Sequence, residues 1–118
     1  MPLPPDIEAV AEDVFTALAD PSRRGILAAL AAGGPATATD LAARLPITRQ
    51  AIAKHLALLA EAGLVGAEPG ERRRVRYRLH SAPMQVAQQF LASMARDWDS
   101  QLVALQNHLD AEAAAQPK

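Results

Sequence analysis

Arg49, Gln50 and Lys54 lie within six positions of one another behind Thr48, and Arg72, Arg73, Arg74, Arg76 and Arg78 place five guanidinium groups in seven positions. Arginine and glutamine hydrogen-bond the edges of purines, and lysine and arginine neutralise phosphates. The chemistry these residues can do is recognition of a polyanion. Five like charges so close together repel one another by roughly a few tenths of a kcal/mol per near pair, so a structural role explains them poorly and a phosphate backbone explains them well.

Turnover chemistry has no comparable constellation. His55, His80 and His108 are 25 and 28 residues apart, and none stands with both an acid and a nucleophile at the spacing of a catalytic motif. The chain has no nucleophile elbow, glycine-rich phosphate loop or zinc-ligand spacing, and no enzyme is expected.

Elements that could hold the basic side chains are legible around them. In TATDLAARLPITRQAIAKHLALLAEAGLV, residues 37 to 65, Thr39 and Asp40 offer N-cap oxygens ahead of a short apolar stripe of Leu41, Ala42 and Leu45, which Pro46 ends. Thr48 caps a second helix whose Ile52, Leu56 and Leu59 form its buried side, and Gly63 closes it. Two helices joined by a tight turn make a helix-turn-helix, expected over about 37–62. The second is its recognition helix, with Thr48, Arg49, Gln50 and Lys54 near the end that would enter a major groove.

Leu64-Val65 then begins a strand, Pro69-Gly70 is turn chemistry, and Val75, Tyr77 and Leu79 alternate with Arg74, Arg76 and Arg78. That pattern predicts a two-stranded hairpin wing over about 64–80, apolar residues toward the domain and arginines toward solvent.

Upstream, the Pro-rich residues 1–5 read as loose, and Ile7, Val10, Val14, Phe15 and Leu18 recur at helical spacing. Asp20-Pro21 starts the next helix, which buries Ile26, Leu27 and Leu30 and stops at Gly33-Gly34-Pro35. Arg23 and Arg24 in its first turn oppose the helix dipole and need compensation, from Asp20 or from a phosphate.

Pro83 opens a last helix, expected over about 83–111, in which Met84, Ala87, Leu91, Met94, Trp98, Leu102, Leu105 and Leu109 follow a 3-4-3-4-4-3-4 spacing. This is a packing seam, with Trp98 as its anchor. The terminal AEAAAQPK offers no seam residue and is expected to fray.

The 118 residues make one domain, and 50% of them are hydrophobic, but 27 are alanine and only 3% are aromatic, so 32 larger apolar side chains remain for the core. Surface shared with a second copy would offset so thin a core. The absence of cysteine excludes disulfides and thiolate metal ligands. With no signal-peptide pattern and no apolar run of membrane-spanning length, a cytoplasmic protein is expected. The net charge of −1 hides a segregation: residues 1–20 carry five acids and no base, residues 21–80 ten bases and four acids, and residues 81–118 two bases and four acids. The positive block coincides with the helix-turn-helix, as a DNA footprint would.

ALADPSRRGILAAL, TDLAARLPITRQAIAKHLALLAEAGLV and the arginine-rich hairpin ending VRYRL resemble the ArsR/SmtB family of bacterial winged-helix repressors over roughly residues 10 to 110. The resemblance implies a mainly α winged helix-turn-helix with a small β-hairpin, homodimeric through its first and last helices. It also implies binding of a palindromic double-stranded operator and repression of transcription. The family's cysteine metal site falls on Ala42 and Arg44 here, which cannot hold a soft metal. Its last-helix site invites comparison with Asp97, Asp99, His108, Asp110 and Glu112, but the order Asp-x-His is broken by Asp99, and Ala111 stands three residues beyond His108. The resemblance is therefore to members without metal sites. No cofactor is expected and no small-molecule inducer is assigned. A derepressor sensing a metal or small ligand through the last helix, and a winged helix used for protein interaction, are the alternative readings. His55 reads as a partly buried structural imidazole, and His80 has no evident partner.

Overall fold

The computed structural model describes residues 5–115. In chain order they form α1 (Pro5–Leu18), α2 (Pro21–Gly33), β1 (Ala36–Thr37), α3 (Ala38–Arg44), α4 (Arg49–Glu61), β2 (Val65–Pro69), a single 3-10 turn (Glu71–Arg73), β3 (Val75–Leu79) and α5 (Ala82–Ala115). Most of the loose start expected from the sequence lies outside the described residues, and Pro5 already belongs to α1.

Local signals set most boundaries. Asp20 caps α2, its carboxylate accepting from the Ser22 amide at 2.7 Å, with Pro21 opening the helix. The charge of Arg23 and Arg24 is compensated from two sides. Arg23 lies 3.7 Å from Asp20, and it also donates to the carbonyls of Ala17 at 2.8 Å and Thr16 at 3.1 Å. Arg24 donates to the Leu18 carbonyl at 2.6 Å. Both bases thus close the C-terminus of α1, where the helix dipole favours positive charge.

The cap of α3 is Thr37, not Thr39 or Asp40. Its hydroxyl accepts from the Asp40 amide at 3.0 Å, and the Asp40 carboxylate accepts from the Thr37 amide at 3.1 Å. Asp40 contributes from inside the first turn, as the acidic member of a capping box. Thr48 caps α4, accepting from the Ala51 amide at 3.2 Å. At the other end Gly63, at φ 75°, lets its own amide donate to Ala60 and the Leu64 amide donate to Leu59, both at 3.0 Å. A side chain there would be strained, because the left-handed region suits glycine.

The wing contains one strand more than the expected hairpin. β1 pairs antiparallel with β3, Ala36 opposite Tyr77, so the sheet order is β1-β3-β2, with Val65 opposite Leu79 and Pro69 opposite Val75 across the other edge. Tyr77 and Leu79 face the domain and are half-buried, but Val75 is 48% exposed, so the inward alternation stops short of the wing tip.

Val14, Ile26, Leu41, Ile52, Leu56, Leu59 and Leu64 form the fully buried centre of the core. α1 and α5 lie together, with the Phe15 and Phe90 rings 6.0 Å apart. α5 then leaves the body. It continues to Ala115, past the point where fraying was expected, because alanine and glutamate hold a helix without any seam residue. At 34 residues it is about 51 Å long. The radius of gyration, 21.2 Å, accordingly exceeds the roughly 13 Å of a compact chain of this size.

Candidate nucleic-acid interface

Burial of Ile52, Leu56 and Leu59 fixes the rotation of α4 about its axis. With that face committed to the core, Arg49, Gln50 and Lys54 stand exposed on the other side, Arg49 and Gln50 in the first turn. Thr48 is exposed too, its hydroxyl engaged by the Ala51 amide.

The wing sheet brings a second set of groups alongside. Thr37, Thr39, Arg49, Gln50, Arg74 and Tyr77 line one open cleft of about 370 Å³ between the start of α4 and β3. Two guanidinium groups thus share a cleft whose lining includes no carboxylate. A smaller cleft beside it, about 220 Å³, is lined by Pro35, Asp40, Glu71, Arg74 and Arg76. Arg76 there donates to the Pro35 carbonyl at 3.5 Å. Arg74 therefore stands between an acid-free cleft and one that holds two acids. The Asp40 carboxyl is held below its ordinary value, first by the Thr37 amide and then by the Thr37 hydroxyl, against an upward push from desolvation, with the charges of Arg44 and Arg74 adding smaller downward effects.

At the wing tip Arg72 (φ 55°) and Arg73 (φ 63°) are both left-handed, and both are exposed. Each such residue is strained by about 1 kcal/mol relative to an ordinary backbone.

The ten bases of residues 21–80 now divide by partner. Arg23 and Arg24 close α1, the Arg44 guanidinium lies against Gly33 at the end of α2, and Arg78 is 3.7 Å from Glu68. Arg49, Lys54, Arg72, Arg73, Arg74 and Arg76 remain on the outer face of α4 and the wing. Thr37, Thr39 and Tyr77 are the lining residues that the sequence pattern missed. Tyr77 looked like a domain-facing residue only, and β1, which sets Thr37 beside it, is two residues long and too short to show a period.

The seam of the last helix splits. Ala87 is buried and Met84 half-buried within the chain's own core, whereas Leu91, Met94, Trp98, Leu102, Leu105 and Leu109 are exposed, Trp98 at 63%. Farther along α5, His108 is 3.3 Å from Glu112 and Gln106 donates to Asp110 at 2.8 Å. Among the described residues no three histidine, aspartate or glutamate side chains gather as a metal-holding group. The His80 ring lies against Gly66, where any Cβ would strike it. The His55 Nδ1 is buried and has no hydrogen-bond partner among the described residues. No helix there is long and apolar enough to cross a membrane.

A helix-turn-helix domain family matches residues 18–65, which hold α2 through α4. Two curated relatives align over somewhat longer stretches. The uncharacterized HTH-type transcriptional regulator YuzN of Bacillus subtilis is 48% identical over 58 residues, and the HTH-type transcriptional regulator Rv2034 of Mycobacterium tuberculosis is 44% identical over 61. The chain spans 63% and 56% of their lengths. Among solved structures, an ArsR-like transcriptional regulator from Rhodococcus is 38% identical, with a TM-score of 0.76 over 85% of this chain and 92% of that one. All three are regulators rather than enzymes, and with a sheet-bearing helix-turn-helix, the basic face and this likeness along nearly the whole of a solved relative, the chain belongs to the ArsR family of helix-turn-helix transcriptional regulators.

Proposed function

We propose that the protein is a repressor that binds a palindromic double-stranded operator as a homodimer, in the cytoplasm, with α3 and α4 as its helix-turn-helix, the strands after α4 as its wing and α5 as its dimerisation helix. The acid-free cleft carrying Arg49, Gln50 and Arg74 carries this reading. It joins the first turn of the recognition helix, the part that comes nearest base edges, to the wing, which rides the backbone. Arg49 and Gln50 read sequence, and Thr48, Lys54, Arg72, Arg73, Arg74 and Arg76 contact phosphates. Two α4 helices meet half-sites about one helical turn apart.

Footprinting of the purified protein on promoter fragments, beginning with its own promoter, identifies the operator. On that site Gln50→Ala is expected to cost about 1–3 kcal/mol while leaving affinity for random duplex almost unchanged. Equal losses on both would remove Gln50 from sequence reading. Absence of any protected fragment, together with salt-independent binding of random duplex, would favour a protein-interaction module instead.

A further inference from the structure

We propose that Ala53, one turn behind Arg49 and Gln50 on the recognition helix, reads a thymine through its 5-methyl group. The DNA-binding reading of α4 given in the preceding section is assumed, and a base identity and the residue that reads it are what is added. Ala53 lies four residues after Arg49 and three after Gln50, spacings that set side chains on one face of a helix. Burial of Ile52, Leu56 and Leu59 turns that face outward, and Ala53 is exposed on it. It lines the same cleft of about 370 Å³ as Arg49, Gln50 and Arg74, and so does Val75 from β3, which is 48% exposed.

Charge and hydrogen bonding account for the polar groups of the cleft. Arg49 and Gln50 suit base edges, Arg74 suits a phosphate, and the hydroxyls of Thr37, Thr39 and Tyr77 suit either. Ala53 and Val75 can do neither, and in a cleft that closes on a duplex they gain only by meeting an apolar group. The base edges of a major groove offer one such group, the 5-methyl of thymine, and alanine is among the side chains that suit it. Nothing on α4 stands in the way. Side chains on a helix lean toward its N-terminus, so those that could cover Ala53 stand three and four residues later. Leu56 is buried on the other face, and Ala57 is too short to reach over its neighbour. A duplex can therefore come close to the helix at Ala53. Ala57 is itself exposed but does not line the cleft, and the preference of alanine for helices is enough to explain it.

Removing one methyl group at a time from the operator located by footprinting tests this. Each thymine of a half-site is replaced in turn by deoxyuridine, which pairs identically and lacks only the methyl. At one thymine per half-site the parent protein is expected to lose about fourfold in affinity, the contribution of one buried methyl group, and about sixteenfold when both half-sites are changed. Ala53→Gly is expected to bind the thymine and deoxyuridine operators equally. Ala57→Gly, which sacrifices the same helix propensity, is expected to keep the parent's discrimination. A parent indifferent to every deoxyuridine, or a discrimination that Ala53→Gly retains, would overturn the reading of thymine by Ala53. So would its loss in Ala57→Gly as well, since a loosened helix would then explain both variants. Each of these results leaves the operator itself standing. A protein that protects no fragment at all is a different failure, that of the DNA-binding reading beneath.

Discussion

If the outward bases meet a phosphate backbone, removing those of the wing must change how binding responds to salt. Arg49, Lys54, Arg72, Arg73, Arg74 and Arg76 stand on the outer face. Arg49 is assigned to base edges, and Arg76, though it contacts phosphate, has its charge offset by Asp40 and Glu71 in the cleft they share, which leaves four phosphates neutralised per subunit, by Lys54, Arg72, Arg73 and Arg74. A dimer then neutralises eight, and the slope of log K against log salt is about −7. Replacing Arg72, Arg73 and Arg74 with alanine removes six of the eight and leaves a slope of about −2. Between 50 and 200 mM salt the parent loses about twenty-thousandfold in affinity and the triple variant only about tenfold. Fluorescence anisotropy with one labelled duplex at four salt concentrations reads both slopes. Arg78→Ala is the internal control, because Arg78 sits 3.7 Å from Glu68 and its charge is already answered within the protein. A triple variant with the parent's slope, or an Arg78→Ala variant that flattens the slope as much as the triple, would refute the sorting of these arginines by partner.

Two further outcomes follow from the wing and from the cap of α3. Arg72 is left-handed at φ 55°, so Arg72→Gly is expected to be more stable than Arg72→Ala by roughly 0.5–1 kcal/mol in urea unfolding, while the two bind DNA equally weakly; an alanine variant as stable as the glycine one would show that the strain is not real. The pKa of Asp40 is lowered by folding, so its contribution is present above the unfolded value of about 4 and is lost as pH falls through the folded one. The stability difference between the parent and Asp40→Ala should therefore be constant near neutrality and shrink as pH falls below about 4, and a gap that does not shrink at all below that pH would mean that the charge of Asp40 does not matter.

What could be read from the sequence depended on how far apart the cooperating residues stand. Asp20-Pro21, Thr48 and Gly63 act within one helical turn, and the Ile52, Leu56 and Leu59 stripe repeats with the helix itself, so α2 and α4 were legible along with the helix-turn-helix. The cap of α3 was misassigned at equally short range, because Asp40 bonds backward to Thr37 instead of starting the helix. The third strand was invisible because it is made only by pairing residues 36 and 37 with 77 and 76, forty positions away. Separation hid the cleft too, since nothing in the order of residues says that Arg74, 25 positions on, will stand beside Arg49. The roles of Arg23 and Arg24 depended on where α1 ends in space, and dipole arguments about their own helix could only say that something must answer them.

Specificity gives a separate reason for pairing two chains. The first turn of one α4 presents two side chains suited to base edges, Arg49 and Gln50. At about 1–3 kcal/mol for each good bidentate contact, one subunit discriminates by roughly 2–6 kcal/mol. Operators are typically distinguished from other DNA by about 4–10 kcal/mol, so a single copy overlaps only the lower part of that range. Two copies on a palindrome reach roughly 4–12 kcal/mol, provided that they are rigidly joined and that the second binds as an intramolecular event. In the homodimer proposed above, the exposed stretch of α5 from Leu91 to Leu109 supplies that rigidity where a short contact would not. The exposed stripe of α5 and the strained arginines of the wing are each unfavourable in the isolated chain. On the reading proposed here both are answered by assembly, the stripe by a second copy and the arginines by the duplex that the pair holds.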